Sequence, residues 1–418
     1  GIAAIGTEAV SIGVDTWGVD FALLDRDGKL VSNPLHYRNT HADGMMEWVF
    51  ERVPRREIFE QTGIQFMQIN GLYGLASMVK NNSPLLDATA TLLTIADLFN
   101  YWLSGSKTCE FTDATTLQMV NPHTSDWTRD MLESIGISAN ILPPIVFPGD
   151  KIGTCNGLDV IVPSCHDTGS AVVGVPTTTK NYAYLSSGTW SLLGLEIDAP
   201  VINDASYAAN VTNEGGVYGT FRLLKNIAGM WLVQQSRETW LKAGTDYSYA
   251  ELVALAEKAQ PFQSFIDPDA PDFHGLGDMP TWICAYCERT NQAVPNSVGQ
   301  ITRTIYESLA FKYRYVVDLL KDISGQTIET LHIIGGGSQN QLLCQMTADA
   351  LGIQVIAGPT EATALGNAVV QFIAQGELAN LAEARQMLSQ TIETTTYEPK
   401  NHAQWEENYQ RFKATVMM

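Results

Sequence analysis

No apolar run in this 418-residue chain reaches the roughly 18 residues that a membrane-crossing helix needs. Its first residues also lack the basic-then-apolar order of a secretory signal. Both absences predict a cytoplasmic protein with no membrane partner. Cysteine is sparse: Cys109, Cys155, Cys165, Cys284, Cys287 and Cys344 are scattered as expected of free thiols in a reducing compartment. The Cys284-Ala285-Tyr286-Cys287 pair has no second ligand pair at zinc spacing and no small βαβ context for redox work. It reads as two structural thiols on a helical turn. Basic residues are also few, 25 against 45 acidic ones, for a net charge of −20. That balance excludes an extended nucleic-acid surface, which needs clustered Lys and Arg. Any phosphate site must therefore draw its positive potential from backbone dipoles and a bound cation.

Two familiar nucleotide motifs are missing as well. Gly105-Ser106-Lys107-Thr108 has Ser106 where a P-loop needs Gly, and Gly335-Gly336-Gly337-Ser338-Gln339-Asn340 ends in Asn where a dinucleotide fingerprint needs Gly or Ala. Internal repeats and low-complexity tracts are absent. What remains is an ordinary globular composition, 45% hydrophobic and 17% charged, in a chain long enough for two cores.

Strand and helix patterns alternate, which predicts an α/β fold. Strands are expected at Val10 to Val14, Val19 to Leu24, Val160 to Val162 and Leu331 to Ile334. A hairpin turn at Asp27-Gly28 leads into Lys29 to Val31. Apolar spacing is mostly helical from Met45 to Leu103, and helices are expected at 229–240, 249–259, 298–320 and 341–351. The boundary falls near residues 174–180, giving domains 1–176 and 177–418.

The most informative stretch is Tyr184-Leu185-Ser186-Ser187-Gly188-Thr189-Trp190-Ser191, a turn between two apolar strands. Its N–H groups and hydroxyls can converge on one anion, and Gly188 permits close approach. Upstream, Asp167 follows a strand, where α/β ligand clefts form. A carboxylate there can serve as a general base or simply cap a helix. Cys165-His166-Asp167 is no hydrolase triad, because adjacent residues on extended chain point apart. Glu214-Gly215-Gly216 reads as a tight turn beside the presumed cleft, and His36 and His41 lack useful ligand spacing.

The ordered set Ser11 to Phe21, Ser164 to Gly169, Ser186 to Trp190, Asn213 to Gly216, Leu224 to Ile227, Ile333 to Asn340 and Ala357 to Asn367 resembles the FGGY family of carbohydrate kinases. Within it, the resemblance narrows to the rhamnulokinases. It implies a two-domain, actin-like ATPase (ribonuclease H-like) fold. The first domain would bind sugar and the second nucleotide. Family members open with a strand carrying an Asp-x-Gly phosphate loop. This chain has none upstream of residue 11, so its first domain is expected to be truncated at the N-terminus.

The resemblance also implies an ATP- and Mg²⁺-dependent transfer to the 1-hydroxyl of L-rhamnulose, with Asp167 as general base. His166 and Thr168 would hydrogen-bond the ketose, as would Asn226 and the backbone of Gly18, with Trp17 either a pocket wall or a core residue. Thr189 would contact the ATP phosphates, Gln234 the nucleotide, and Gly336 the adenosine. Asn226 is read at a helix start, with Gln234 two turns along the same helix. Metal ligands are not assigned, and a monomer is expected. The alternatives are another FGGY ketose or polyol kinase, for L-fuculose or D-xylulose, or a catalytically inactive sugar-binding fragment.

Overall fold

The computed structural model describes residues 9–416. The expected shortfall of the first domain concerns the chain start and lies outside those residues. In chain order, the elements that carry the argument are β1 (Ser11–Ile12), β2 (Phe21–Leu24), β3 (Thr91–Thr94), β4 (Lys151–Cys155), β5 (Leu158–Ile161) and α1 (Asp167–Val173). There follow β6 (Tyr182–Ser187), β7 (Trp190–Ile197), β8 (Thr212–Gly215), β9 (Phe221–Ala228), α2 (Trp231–Lys242) and α3 (Val298–Ser324). The last are β10 (Thr330–Ile334), α4 (Gln341–Leu351), β11 (Gln354–Ala357), α5 (Ala362–Ala374) and β12 (Thr395–Tyr397).

The chain divides into two compact units and passes between them repeatedly. The first runs to Thr178 and then takes in Glu196–Leu224 and Ala362–Thr391. The second holds Thr179–Leu195, Lys225–Glu361 and the chain from Ile392 onward.

In the first unit β1 pairs parallel with β5, and β5 pairs antiparallel with β4. Only Ser11 and Ile12 of the expected five-residue strand are strand-paired. The chain leaves the ladder at Gly13, where a Cβ would lie 2.4 Å from Gln371 Nε2 and 3.0 Å from the Ile161 carbonyl. β2 pairs antiparallel with β3, a strand that interrupts the helical spacing read from Met45 to Leu103. Its last residue, Thr94, caps the helix Ile95–Ser104 by accepting from the Asp97 N–H. Gly28 makes the predicted turn at φ 79°, but beyond it only a single bridge, Leu24 to Leu30, forms.

α1 and α5 pack at backbone distance. A Cβ on Gly366 would stand 1.8 Å from the Ser170 carbonyl oxygen, and one on Gly174 would stand 2.5 Å from that of Ala362. Glycine is what lets the two helices approach so closely.

The second unit is built on β7, β6, β10, β11 and β12, side by side in that order. Its central pairings, β6 to β10 and β10 to β11, are parallel, and the outer ones are antiparallel. The middle strands are buried along nearly their whole length, as the continuous apolar runs require. α3 spans 27 residues between a Ser297 N-cap and Gly325 at φ 69°. It presents Phe311 to Phe262, Phe265, Trp405, Tyr409 and Phe412, an aromatic core of edge, tilted and stacked contacts.

Cys284 and Cys287 lie on the helix Met279–Arg289, both free, and burial pushes the Cys287 thiol up to about 12. Asn226 does not open a helix. It sits inside β9, while Gln234 belongs to α2, so the two are on different elements. No helix among the described residues is long and apolar enough to cross a membrane.

Candidate active site

In the first unit, the chain beyond β1 and the chain beyond β5 run side by side. The Thr16 N–H donates to the Cys165 carbonyl at 2.9 Å, and the Asp167 N–H donates to the Thr16 carbonyl at 2.8 Å. This pairing past the C-terminal ends of two parallel strands gathers Asp15, Trp17 and Gly18 with His166, Asp167 and Thr168. Such ends are where open α/β sheets place their ligands.

His166 is the N-cap of α1 and Asp167 its first residue, so the capping position belongs to the histidine. The Asp167 side chain is part-exposed. Its Oδ1 accepts from the Thr168 N–H at 2.5 Å and from Thr168 Oγ1 at 3.3 Å. His166 Nε2 stands 3.6 Å from the same Oδ1. Among the described residues no donor reaches Oδ2.

Trp17 is 43% exposed, which rules out core packing for its ring. Its indole N–H donates to Asp20 Oδ2 at 2.8 Å, and the ring centroid is 6.2 Å from that of His36. Gly18 fits against Thr116, whose Oγ1 accepts the Val19 N–H at 2.8 Å. Val19 itself sits at φ 69°, a left-handed conformation that costs a β-branched residue free energy. Strain of that kind concentrates at binding sites.

A cavity of about 220 Å³ opens beside this turn, lined in part by Val19, Asp20, Tyr37, His41 and Asn70. Burial raises the Asp20 carboxyl, against the opposing hydrogen bond from Trp17. Burial likewise lowers His41, which therefore tends to stay neutral. Asp20, His36 and His41 carried no assignment from sequence, because their spacing along the chain shows no pattern.

Asp15 is the other missed carboxylate. Asn367 Nδ2 donates to its Oδ2 at 2.6 Å. Burial raises it, and the nearby Asp167 charge raises it further. A cation beside Asp15 would offset the repulsion it feels from the Asp167 charge. No group of three His, Cys, Asp or Glu among the described residues forms a metal cage. A divalent ion carried in with phosphate oxygens needs only one or two carboxylates, since water and phosphate complete its shell. The Asp15 environment fits that demand.

Behind the loop stands Glu214. It lies in β8 rather than in a tight turn, is buried, and places Oε2 3.3 Å from His166 Nδ1. Arg222 of β9, 1% exposed, joins them. A second support comes from Glu110, whose carboxylate accepts the Cys165 N–H at 2.9 Å.

In the second unit, β6 and β7 close on the Gly188-Thr189 turn. The Met230 N–H donates to the Gly188 carbonyl and the Trp231 N–H to that of Thr189, each at 3.1 Å. The turn is thereby tied to the start of α2, which carries Gln234. Among the described residues other than its two chain neighbours, no atom lies closer than 3.8 Å to a Cβ built on Gly188, so its bareness leaves room for an outside group.

The Gly335 to Gly337 turn packs on the same strand end. A Cβ on Gly337 would fall 1.9 Å from Ser187 Oγ, whereas one on Gly336 would meet nothing within 4 Å. Gly336 thus faces open space among the described residues. Next to Asn226, burial lowers Lys225 to about 8 despite Asp269 and Asp267 nearby, and sequence alone gave no sign of that cation.

Residues 4–174 match the N-terminal domain of the FGGY family of carbohydrate kinases, and residues 183–375 match its C-terminal domain. The chain is 46% identical to a rhamnulokinase of Bacteroides thetaiotaomicron, over 99% of its own length and 87% of the relative's. It belongs to the FGGY family of carbohydrate kinases.

This FGGY kinase is also 41% identical to a rhamnulokinase of an Enterobacter species, over 93% of the chain and 80% of the relative. Among solved structures it resembles a xylulose kinase from Lactobacillus acidophilus, with a TM-score of 0.80 at 15% identity, covering 99% and 85% of the two chains. A Plasmodium falciparum glycerol kinase with ADP superposes at a TM-score of 0.75 and 17% identity, covering 97% and 84%. Those likenesses establish the two-domain, actin-like ATPase fold. As a sugar kinase of this family the protein acts on a small-molecule sugar with ATP, and a divalent metal accompanies the nucleotide.

Proposed function

We propose that this chain phosphorylates L-rhamnulose at its 1-hydroxyl, consuming ATP and yielding L-rhamnulose 1-phosphate for L-rhamnose catabolism. One observation carries the chemistry: among the described residues every donor that reaches the Asp167 carboxylate falls on Oδ1, which leaves Oδ2 to take a proton. The choice of ketose rests on relatives that align along nearly the whole chain, among them rhamnulokinases at 38–46% identity.

In this reading Oδ2 of Asp167 accepts the proton of the sugar's 1-hydroxyl as that oxygen bonds to the γ-phosphorus. The bond from the γ-phosphorus to the β,γ-bridging oxygen breaks, and ADP leaves. His166, Thr168, Asn226 and the Gly18 backbone hold the ketose, and Trp17 forms an exposed wall. Thr189 holds phosphate, Gln234 and Gly336 the rest of the nucleotide. The first domain, 1–176, supplies the base and most of the sugar contacts, and the second, 177–418, supplies Asn226 and the nucleotide contacts. Mg²⁺, when bound with ATP, neutralises the phosphate charge that an acidic protein would otherwise repel. Asp15 is the residue of this chain that would hold it. A monomer working in the cytoplasm, where ATP is abundant, is consistent with this role.

The test is ADP release with MgATP and L-rhamnulose, L-fuculose, D-xylulose or glycerol offered separately. Selective turnover of L-rhamnulose is expected; preference for another sugar, or none at all, sinks the assignment. In Asp167→Asn the rate should fall by about 10²- to 10⁴-fold, the usual worth of a positioned base. Sugar binding, read by calorimetry, should survive.

A further inference from the structure

His166 faces two unlike partners through one nitrogen. Arg222 Nη2 lies 3.1 Å from Nδ1, and Glu214 Oε2 lies 3.3 Å from the same atom. The two partners also touch each other, at 3.2 Å. Arg222 is further anchored by its Nε, which donates to the Gly215 carbonyl at 2.8 Å. Its guanidinium lies against α1 where Gly169 has no side chain; a Cβ there would come within 3.4 Å of the Arg222 Cζ.

The chemistry of these groups decides where the imidazole proton sits. A guanidinium has only N–H donors and no lone pair to offer. Its contact with Nδ1 therefore requires a lone pair on that nitrogen. In neutral imidazole the proton must then be on Nε2. The opposite tautomer would donate Nδ1–H to Glu214, but it would turn that N–H against a buried Arg222 N–H 3.1 Å away and leave Arg222 Nη2 only its contact with Glu214, which is costly out of water.

We propose that Arg222 is a positioning residue, held by Glu214 and Gly215, that fixes His166 as the Nε2–H tautomer and so aims a donor at the sugar hydroxyl that Asp167 deprotonates. The proposal rests on the kinase reading above and adds to it a reason for the direction of the proton. A hydroxyl has one proton and two lone pairs. At 3.6 Å the Nε2–H is too far from Asp167 Oδ1 for a hydrogen bond, so it remains available. Given to a lone pair of the sugar oxygen, it turns the hydroxyl proton toward the Asp167 carboxylate. A bare Nε2 would instead compete with Asp167 for that same proton.

The tautomer is read directly by nitrogen-15 NMR of the full-length protein with labelled histidine rings, His166 being assigned by its loss in His166→Gln. Above neutral pH the expected pattern is a protonated Nε2 and a bare Nδ1. A protonated Nδ1 overturns the proposal, whatever the sugar assays give. Glu214→Gln removes the anion that could accept Nδ1–H; the tautomer should not change, and a switch to a bare Nε2 or its loss on that substitution counts against Arg222.

In Arg222→Lys, which keeps the charge but loses the fork, kcat with the preferred sugar should fall about 10- to 100-fold, as for other residues that orient a working histidine. The KM for MgATP should stay unchanged. A loss that tracks only the folded fraction, measured by circular dichroism, would leave Arg222 a structural residue and refute the role. If no sugar is turned over but the tautomer is as expected, the kinase reading fails while the assignment of the proton stands.

Discussion

At Gly18 an added methyl group would lie 2.8 Å from both Thr116 Cγ2 and Thr116 Oγ1. That hydroxyl accepts the Val19 N–H and donates to the Asp113 carbonyl at 2.7 Å. The turn that shapes the Trp17 wall is thus held by one threonine on a buried helix. Gly18→Ala must push Thr116 away or displace the turn, and overpacking of this kind costs about 1–3 kcal/mol. The melting temperature should drop by a few degrees and the KM for sugar should rise, with the KM for MgATP unmoved. An unchanged sugar KM would mean that the turn does not border the sugar.

Three carboxylates are buried among β3 and the helices Ile95–Ser104 and Phe111–Thr116. Asp97 is raised to about 6 and Glu110 to about 7, both chiefly by burial, and Asp113 is raised well above its usual value for the same reason. Asp97 Oδ2 accepts from Thr94 Oγ1 at 2.7 Å and from the Glu110 N–H at 3.0 Å. Glu110 in turn holds Cys165, next to His166.

A carboxyl whose folded pKa lies above its unfolded one keeps its proton longer in the native state. Its contribution to stability is complete below the unfolded value near 4 and is lost as pH rises through the folded value. For Asp97 the window runs from about 4 to about 6, and the loss is on the order of 3 kcal/mol. Asp97→Asn cannot titrate. The fall in melting temperature between pH 4.5 and 7 should therefore be shallower in the variant than in the parent, whatever its absolute stability. Equal slopes would show that Asp97 titrates normally.

Across the whole molecule the chain order and the compact units do not coincide. The first unit needs Glu196–Leu224, which supplies β8, and Ala362–Thr391, which supplies α5 against α1. A fragment ending at Thr178 would leave the glycine-lined face of α1 bare and His166 without Glu214 and Arg222. Produced alone, residues 1–178 should melt without cooperativity and bind a hydrophobic dye. Co-production with residues 179–418 should restore a cooperative transition. A sharp, dye-free melt of the short fragment would show that the returning segments are dispensable.

Much of the local structure was legible in the chain itself. The helix Gln341–Leu351 and the strand Thr330–Ile334 stand where their apolar spacing put them, and a turn, at Gly188-Thr189, lies between two strands as read. Burial periodicity is a property of near neighbours, so short windows carry it. The same logic misjudged Asn226, since Leu224 to Ile227 is too short to separate a buried strand from a helix start. It also missed β3, four residues between helices.

The company each site residue keeps was decided only by tertiary packing. Asp15 meets Asn367 and His166 meets Arg222 across long stretches of chain. No periodicity along a sequence encodes such encounters. The sequence alone determined the family, the alternation of elements and the acid that follows the strand. The fold decided which groups stand behind that acid's neighbour His166, because only packing brings Glu214 and Arg222 of distant strands against its ring.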